Sequence, residues 1–121
     1  MARRTNVHYK LTESAENDFR GARQWSIKRW GRDLTKQYFS DLHNGANWIA
    51  LHHVSMTDSF CMPSIPGLGI YPVREHYIVY VPYSDKSIII VALLRQSQDV
   101  HTILETNSYI IRRELDKIFN K

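Results

Sequence analysis

The residues of this chain best placed for chemistry stand at the end of its most apolar run. Ser87-Ile-Ile-Ile-Val-Ala-Leu-Leu94 passes directly into Arg95-Gln96-Ser97-Gln98-Asp99. A buried strand that ends in an arginine and an aspartate holds charge at a fixed place, because the sheet anchors the backbone that carries it. This is where the chain is expected to meet a partner.

Other chemistry has weaker footing. His52-His53 suggests a metal ligand pair, but adjacent residues point to different sides of a helix, and no Cys, Asp or Glu recurs nearby at ligand spacing. A role at a helix end is expected for them, and no metal is implied. The lone Cys61 has no partner thiol and sits in a Pro-rich stretch, which reads as an ordinary loop residue. The sequence has no Gly-rich phosphate loop, no Ser/His/Asp spacing and no zinc-finger pattern. It supports binding better than turnover, and no cofactor is expected.

The elements that must position Arg95 and Asp99 are legible in the periodicity. Val7-His8-Tyr9-Lys10-Leu11 alternates and stops at Thr12-Glu13-Ser14, which predicts a short strand handing over to a helix capped by Thr12. Ala15, Phe19, Ala22, Trp25 or Ser26, and Trp30 recur at steps of three and four, an amphipathic helix with Trp25 and Trp30 packed inward. Trp30-Gly31-Arg32-Asp33 predicts a tight corner, with Gly31 left-handed at the end of one helix and Asp33 capping the next. The second helix carries Leu34, Tyr38, Leu42, Gly45 or Ala46, and Ile49 on one stripe and fades near His52-His53. Trp48, beside that stripe, is expected to be partly exposed.

Residues 54–69, with Pro63, Pro66, Gly67 and Gly69, predict a long surface connection. Residues 70–74, 76–82 and 87–94 predict an antiparallel meander, with Tyr83-Ser84-Asp85-Lys86 as the turn between the last two strands. Ile110 or Ile111, Leu115 and Ile118 predict a terminal helix over residues 106–119, and Met1-Ala2-Arg3-Arg4 a frayed basic end. The fold class is α+β: an N-terminal strand and a two-helix antiparallel hairpin packed on a small, mainly antiparallel sheet (β-α-α-β-β-β), plus a C-terminal helix. Ile78 and Tyr80 point one way and Tyr77, Val79 and Val81 the other, so both faces look apolar, and one is expected to need a cover from another chain.

A chain of 121 residues, 43% hydrophobic and 23% charged, suits one domain spanning residues 1–121, with its core at about 7–104. Its net charge of +4 favours an acidic partner, whether nucleic acid, protein segment or anionic membrane surface. No apolar stretch approaches a signal peptide or membrane span, so a cytoplasmic location without membrane association is expected.

The ordered set Tyr9-Lys10-Leu11-Thr12 with Ala15 and Asp18-Phe19, Arg29-Trp30-Gly31 with Gln37-Tyr38 and Leu42, Pro66-Gly67-Leu68, residues 73–80, and residues 88–95 with Gln98-Asp99 resembles the RelE/ParE toxin family of bacterial type II toxin-antitoxin modules, in particular its ParE-like branch. The resemblance implies a small toxin held inactive by a cognate antitoxin. Within that family the ParE-like branch resembles a protein inhibitor of DNA gyrase, which needs a complementary surface and no catalytic group. Any contact with nucleic acid would then be indirect. The target-binding residues so implied are Arg74, His76, Arg95, Gln98 and Asp99. The RelE-like branch resembles a ribosome-dependent mRNA endoribonuclease, which must move protons and stabilise a phosphorane. For that activity Arg74 and Arg95 would clamp phosphate, His76 or His101 would carry protons, and Tyr77 or Tyr83 would stack or act as acids. Such nucleases end the last strand with a Tyr or His pair, where this chain has Arg95-Gln96-Ser97-Gln98-Asp99. A third reading is a non-toxic relic that only binds its antitoxin.

Overall fold

The computed structural model describes residues 8–56 and 64–120. Met1-Ala2-Arg3-Arg4, Val7, Cys61 and Pro63, on which expectations were placed, lie outside the described residues. The elements run β1 (Tyr9–Leu11), α1 (Glu13–Trp30), α2 (Arg32–His52), a 3-10 turn (His53–Ser55), β2 (Gly69–Val73), β3 (His76–Ser84), β4 (Ser87–Arg95), α3 (Val100–Thr106) and α4 (Ser108–Phe119). The class is α+β, as the pattern predicts.

Thr12 caps α1 as expected, its hydroxyl accepting from the Ala15 N–H at 3.1 Å. Gly31 turns the corner alone, with φ +86° and ψ 174°, and its N–H bonds to the Ile27 carbonyl. Its φ is positive as predicted, but its ψ is extended, a combination open in practice only to glycine. Because one residue makes the turn, α2 already begins at Arg32. Asp33 therefore lies inside the first turn of α2, and no side chain caps that end, contrary to the expected Asp33 cap. The buried stripe of α2 is centred on Thr35, Phe39, Leu42, Ala46 and Ile49, with Tyr38 and Ala50 beside it. Leu34 falls on its flank and is 58% exposed, which corrects its placement in the core.

The sheet has four strands in the order β1-β4-β3-β2, with β1 parallel to β4 and the other pairs antiparallel. β3 runs through Ser84, so the turn to β4 narrows to Asp85-Lys86. Both faces are buried. Ile78, Tyr80, Ile88, Ile90 and Leu93 meet the α1/α2 hairpin, while Val79, Val81, Ile89, Val91 and Leu94 meet Ile65, Leu68, Leu104, Ile111 and Leu115. The second face is thus covered by the chain's own tail and connection, not by another chain as expected. The cause is a helix the apolar spacing concealed: Asp99 caps α3, and α4 starts after a break at Asn107. Fully burying each of those aliphatic side chains contributes about 1.5–3 kcal/mol, so the tail is a structural layer of the fold.

One irregularity aims the end of β4. Val79 lies opposite Ala92 and Tyr80 opposite Ile90, which leaves Val91 as an extra residue. A bulge of this kind shifts the alternation of side chains by one. Val91 and Ala92 consequently both face the tail, and Leu93 returns to the hairpin face. Counting on from Leu93, Arg95 emerges on the hairpin side.

Candidate functional site

Strand register brings the charged ends together. His76 stands opposite Val73 on β2 and Arg95 on β4, so the β2–β3 turn, Arg74-Glu75, lies beside the C-terminal end of β4. The hairpin arrives at the same end because α1 runs on in the direction of β4. The Thr12 N–H reaches the Ile90 carbonyl, the Asp18 carboxylate accepts from the Leu93 N–H at 3.1 Å, and Trp25 reaches Arg95. Asp18 satisfies a strand edge that the short β1 leaves uncovered. Burial raises its pKa most, the bond from Leu93 opposes that, and nearby Glu114 adds to the rise.

Among the described residues Arg74 is the non-glycine with positive φ, +57°. That conformation costs an L-residue roughly 1–2 kcal/mol, so the surroundings must impose it. They do so from two sides. Gln96 donates from Nε2 to the carbonyls of Arg74 (2.9 Å) and His76 (3.0 Å), and its backbone N–H bonds to the Glu75 carbonyl at 2.9 Å. The Tyr38 hydroxyl, from α2, accepts from the Glu75 N–H at 3.1 Å and lies 2.5 Å from His76 Nδ1.

The cations at this end rest on aromatic rings. Arg74 lies 5.8 Å from the Tyr38 centroid and donates through Nε and Nη2 to Asp41, the Nε bond being 2.8 Å. Arg95 and Arg29 lie 5.5 and 4.9 Å from the Trp25 centroid. Trp25 in turn meets Trp30 and His76 edge-on at 5.4 and 6.4 Å. Among the described residues the ion pair is Arg74–Asp41; Arg29 and Arg95 make no salt bridge. A groove of about 390 Å³ lies between them, lined by Trp25, Arg29, Glu75, Arg95, Gln96 and Ser97, with Glu75 the carboxylate that lines it alongside the two arginines. Arginines held on rings keep their donors free and lose little further freedom on binding an anionic group.

The expected site residues fare differently. Arg74 and Arg95 lie at the same end; Arg74 pairs with Asp41, and Asp99 turns to its own helix. Asp99 accepts from the Thr102 N–H at 3.2 Å and from the Thr102 hydroxyl at 2.8 Å, and those two bonds lower its pKa. The Gln98 side chain accepts from the Arg95 N–H at 2.7 Å. Gln98 and Asp99 therefore shape the exit from β4. His76 is 2% exposed on an interior strand. Burial lowers its pKa most and the Arg95 charge adds to this, with Glu75 opposing, which favours the neutral ring whose Nδ1 pairs with the Tyr38 hydroxyl.

Of the residues considered for a nuclease, Arg74, His76 and Arg95 share this end of the sheet. Tyr83 packs with Phe119 and under Lys10 at the opposite end of the sheet, Tyr77 lies half-buried on β3 opposite Leu94, and His101 sits on α3. His52 bonds the Trp48 carbonyl and stacks on its ring, and His53 bonds the Ser84 carbonyl at 2.6 Å, the helix-end roles expected. Trp48 is 44% exposed and also stacks on Tyr71. Sequence reasoning missed Trp25, Arg29, Tyr38 and Gln96 as site residues. The first three read as helix stripe or helix surface, and only the parallel pairing of β1 with β4, which fixes where α1 ends, would have exposed them.

The family described as "ParE toxin of type II toxin-antitoxin system, parDE" matches residues 9–100. The chain belongs to the ParE toxin family. A toxin ParE of Escherichia coli is 27% identical over 96 residues, covering 79% of this chain and 91% of that relative. A chain solved as part of a chromosomal ParDE toxin-antitoxin system from P. aeruginosa shares the fold at a TM-score of 0.60 with 13% identity, covering 75% of this chain and 98% of that one. The ParE match holds β1 through β4 and the hairpin, and it ends where α3 begins, so α4 lies beyond it. Among the described residues no helix is long and apolar enough to cross a membrane.

Proposed function

We propose that this ParE-family toxin arrests growth by binding DNA gyrase through the cationic end of its sheet, without a catalytic step, and that a cognate antitoxin neutralises it. The observation that carries this reading is the pair of guanidinium groups, Arg29 and Arg95, held on Trp25 without a salt bridge beside the Arg74 turn. A fixed, charged, largely preorganised surface is what recognition of a macromolecule requires. The ribonuclease alternative asks for a proton carrier within reach of substrate. His76 does not fit that role, since its ring is buried and its Nδ1 is occupied by Tyr38. Family membership supports a cytoplasmic module.

Purified toxin incubated with gyrase, ATP and relaxed plasmid tests this reading. It predicts loss of supercoiling at stoichiometric toxin and recovery on addition of the antitoxin encoded beside it. Unchanged supercoiling at excess toxin, together with cleaved mRNA after brief induction in cells, would replace it with the nuclease.

A further inference from the structure

The proposed docking end contains a small frame whose members do not themselves face outward as charge. A turn that needs a positive φ is most cheaply built with glycine. Here the position is arginine, φ +57°, and side chains from two other elements supply bonds to the turn's own backbone. Tyr38 on α2 holds the Glu75 N–H, and Gln96, just past β4, holds the carbonyls of Arg74 and His76. The same Tyr38 carries the Arg74 guanidinium over its ring, while Asp41, less than one helical turn further along α2, takes one edge of that guanidinium. The Tyr38 hydroxyl is itself fixed, because it hydrogen-bonds the buried Nδ1 of His76. Closing this end of the sheet would need neither an arginine at a strained position nor a ring beneath it.

We propose that Tyr38 and Gln96 are positioning residues for target recognition: they hold the β2–β3 turn in the one conformation that projects Arg74 for docking. The inference rests on Arg74 belonging to the target-binding surface, and it makes that residue's contribution depend on groups that never touch the partner. His76, expected from sequence to contact the target, acts in this scheme as the buried hydrogen-bond partner that orients Tyr38.

A double-mutant cycle tests it. Tyr38→Phe keeps the ring and removes the hydroxyl, Gln96→Ala removes the two donors, and Arg74→Ala removes the projected group. Each variant is first checked for a cooperative thermal transition, then titrated into a gyrase supercoiling assay. Tyr38→Phe and Gln96→Ala should each weaken inhibition roughly five- to tenfold, and Arg74→Ala at least as much. In the Arg74→Ala background Tyr38→Phe should cost nothing further, because the group it positions is gone. A general loss of structure would instead carry through in full, and additive effects would overturn the proposal. Full potency of Tyr38→Phe beside a weakened Arg74→Ala would also overturn it while leaving the docking surface intact. Full potency of Arg74→Ala would remove Arg74 from the surface, and with it any need to position it.

Discussion

At the scale of single residues, burial sets what each titratable group can do. His76 and His43 are both held below the ordinary imidazole value of 6.5, in each case mainly by desolvation, with Arg95 adding to the effect at His76 and Arg23 at His43. As pH falls through about 6.5 the unfolded chain takes up protons there before the folded chain does, so stability is lost on acidification until the folded-state values are reached. The thermal midpoint should accordingly decline as the pH falls below about 6.5. His76→Asn, which leaves an acceptor near the Nδ1 position but cannot titrate, should flatten part of that decline. An unchanged slope in the variant would show that His76 is not coupled to folding in this way. Tyr9 behaves in the opposite sense, since burial pushes its pKa up to about 12 and keeps it neutral beside His43.

At the scale of elements, much was legible because periodicity and caps agreed. Thr12, Gly31 and the alternation in 76–82 placed α1, the corner and β3 correctly. The failures share a cause: contacts between distant segments overrode the local signal. Ile65 and Leu68 lie in a stretch whose prolines and glycines read as surface, yet each is 1% exposed beneath the second face of the sheet. The bulge at Val91 could not be seen in an unbroken apolar run, though it decides which side Arg95 takes. α4 was expected, but not what fastens it. Glu114 accepts from the Ser14 hydroxyl at 2.8 Å and from the Ser14 N–H at 3.2 Å, so a carboxylate on α4 meets the positive end of α1. Glu114→Ala should cost about 1 kcal/mol and speed amide exchange in α4 without altering β3 or β4. Uniform loss of protection across the sheet would mean that α4 is not an independently fastened element.

At the scale of the whole molecule, a sheet buried on both faces makes the tail a requirement. Ending the chain after Asp99 would expose Val79, Val81, Ile89, Val91 and Leu94 together, a contiguous apolar surface of the kind that drives aggregation. Such a truncation should lose its cooperative thermal transition or its solubility. A soluble truncated chain with an unchanged midpoint would show that the layer formed by α3 and α4 is dispensable. The covered faces serve stability, and the proposed docking surface is the end bearing Arg29, Arg74 and Arg95. Part of this was readable from Arg95 at the strand end. Its companions on α1 and α2 were not, because only tertiary topology brings them there.

The most direct measurement of the account is gyrase inhibition by an Arg29→Ala, Arg95→Ala double variant, which removes the two guanidinium groups on Trp25 and leaves Trp25, the Arg74 turn and both cores in place. The account predicts a folded protein with a near-native thermal midpoint whose inhibition is weakened at least tenfold, roughly the loss of two charge-assisted contacts at a docking surface. Inhibition as strong as that of the unmodified chain would contradict it and move the target-binding surface elsewhere on the fold.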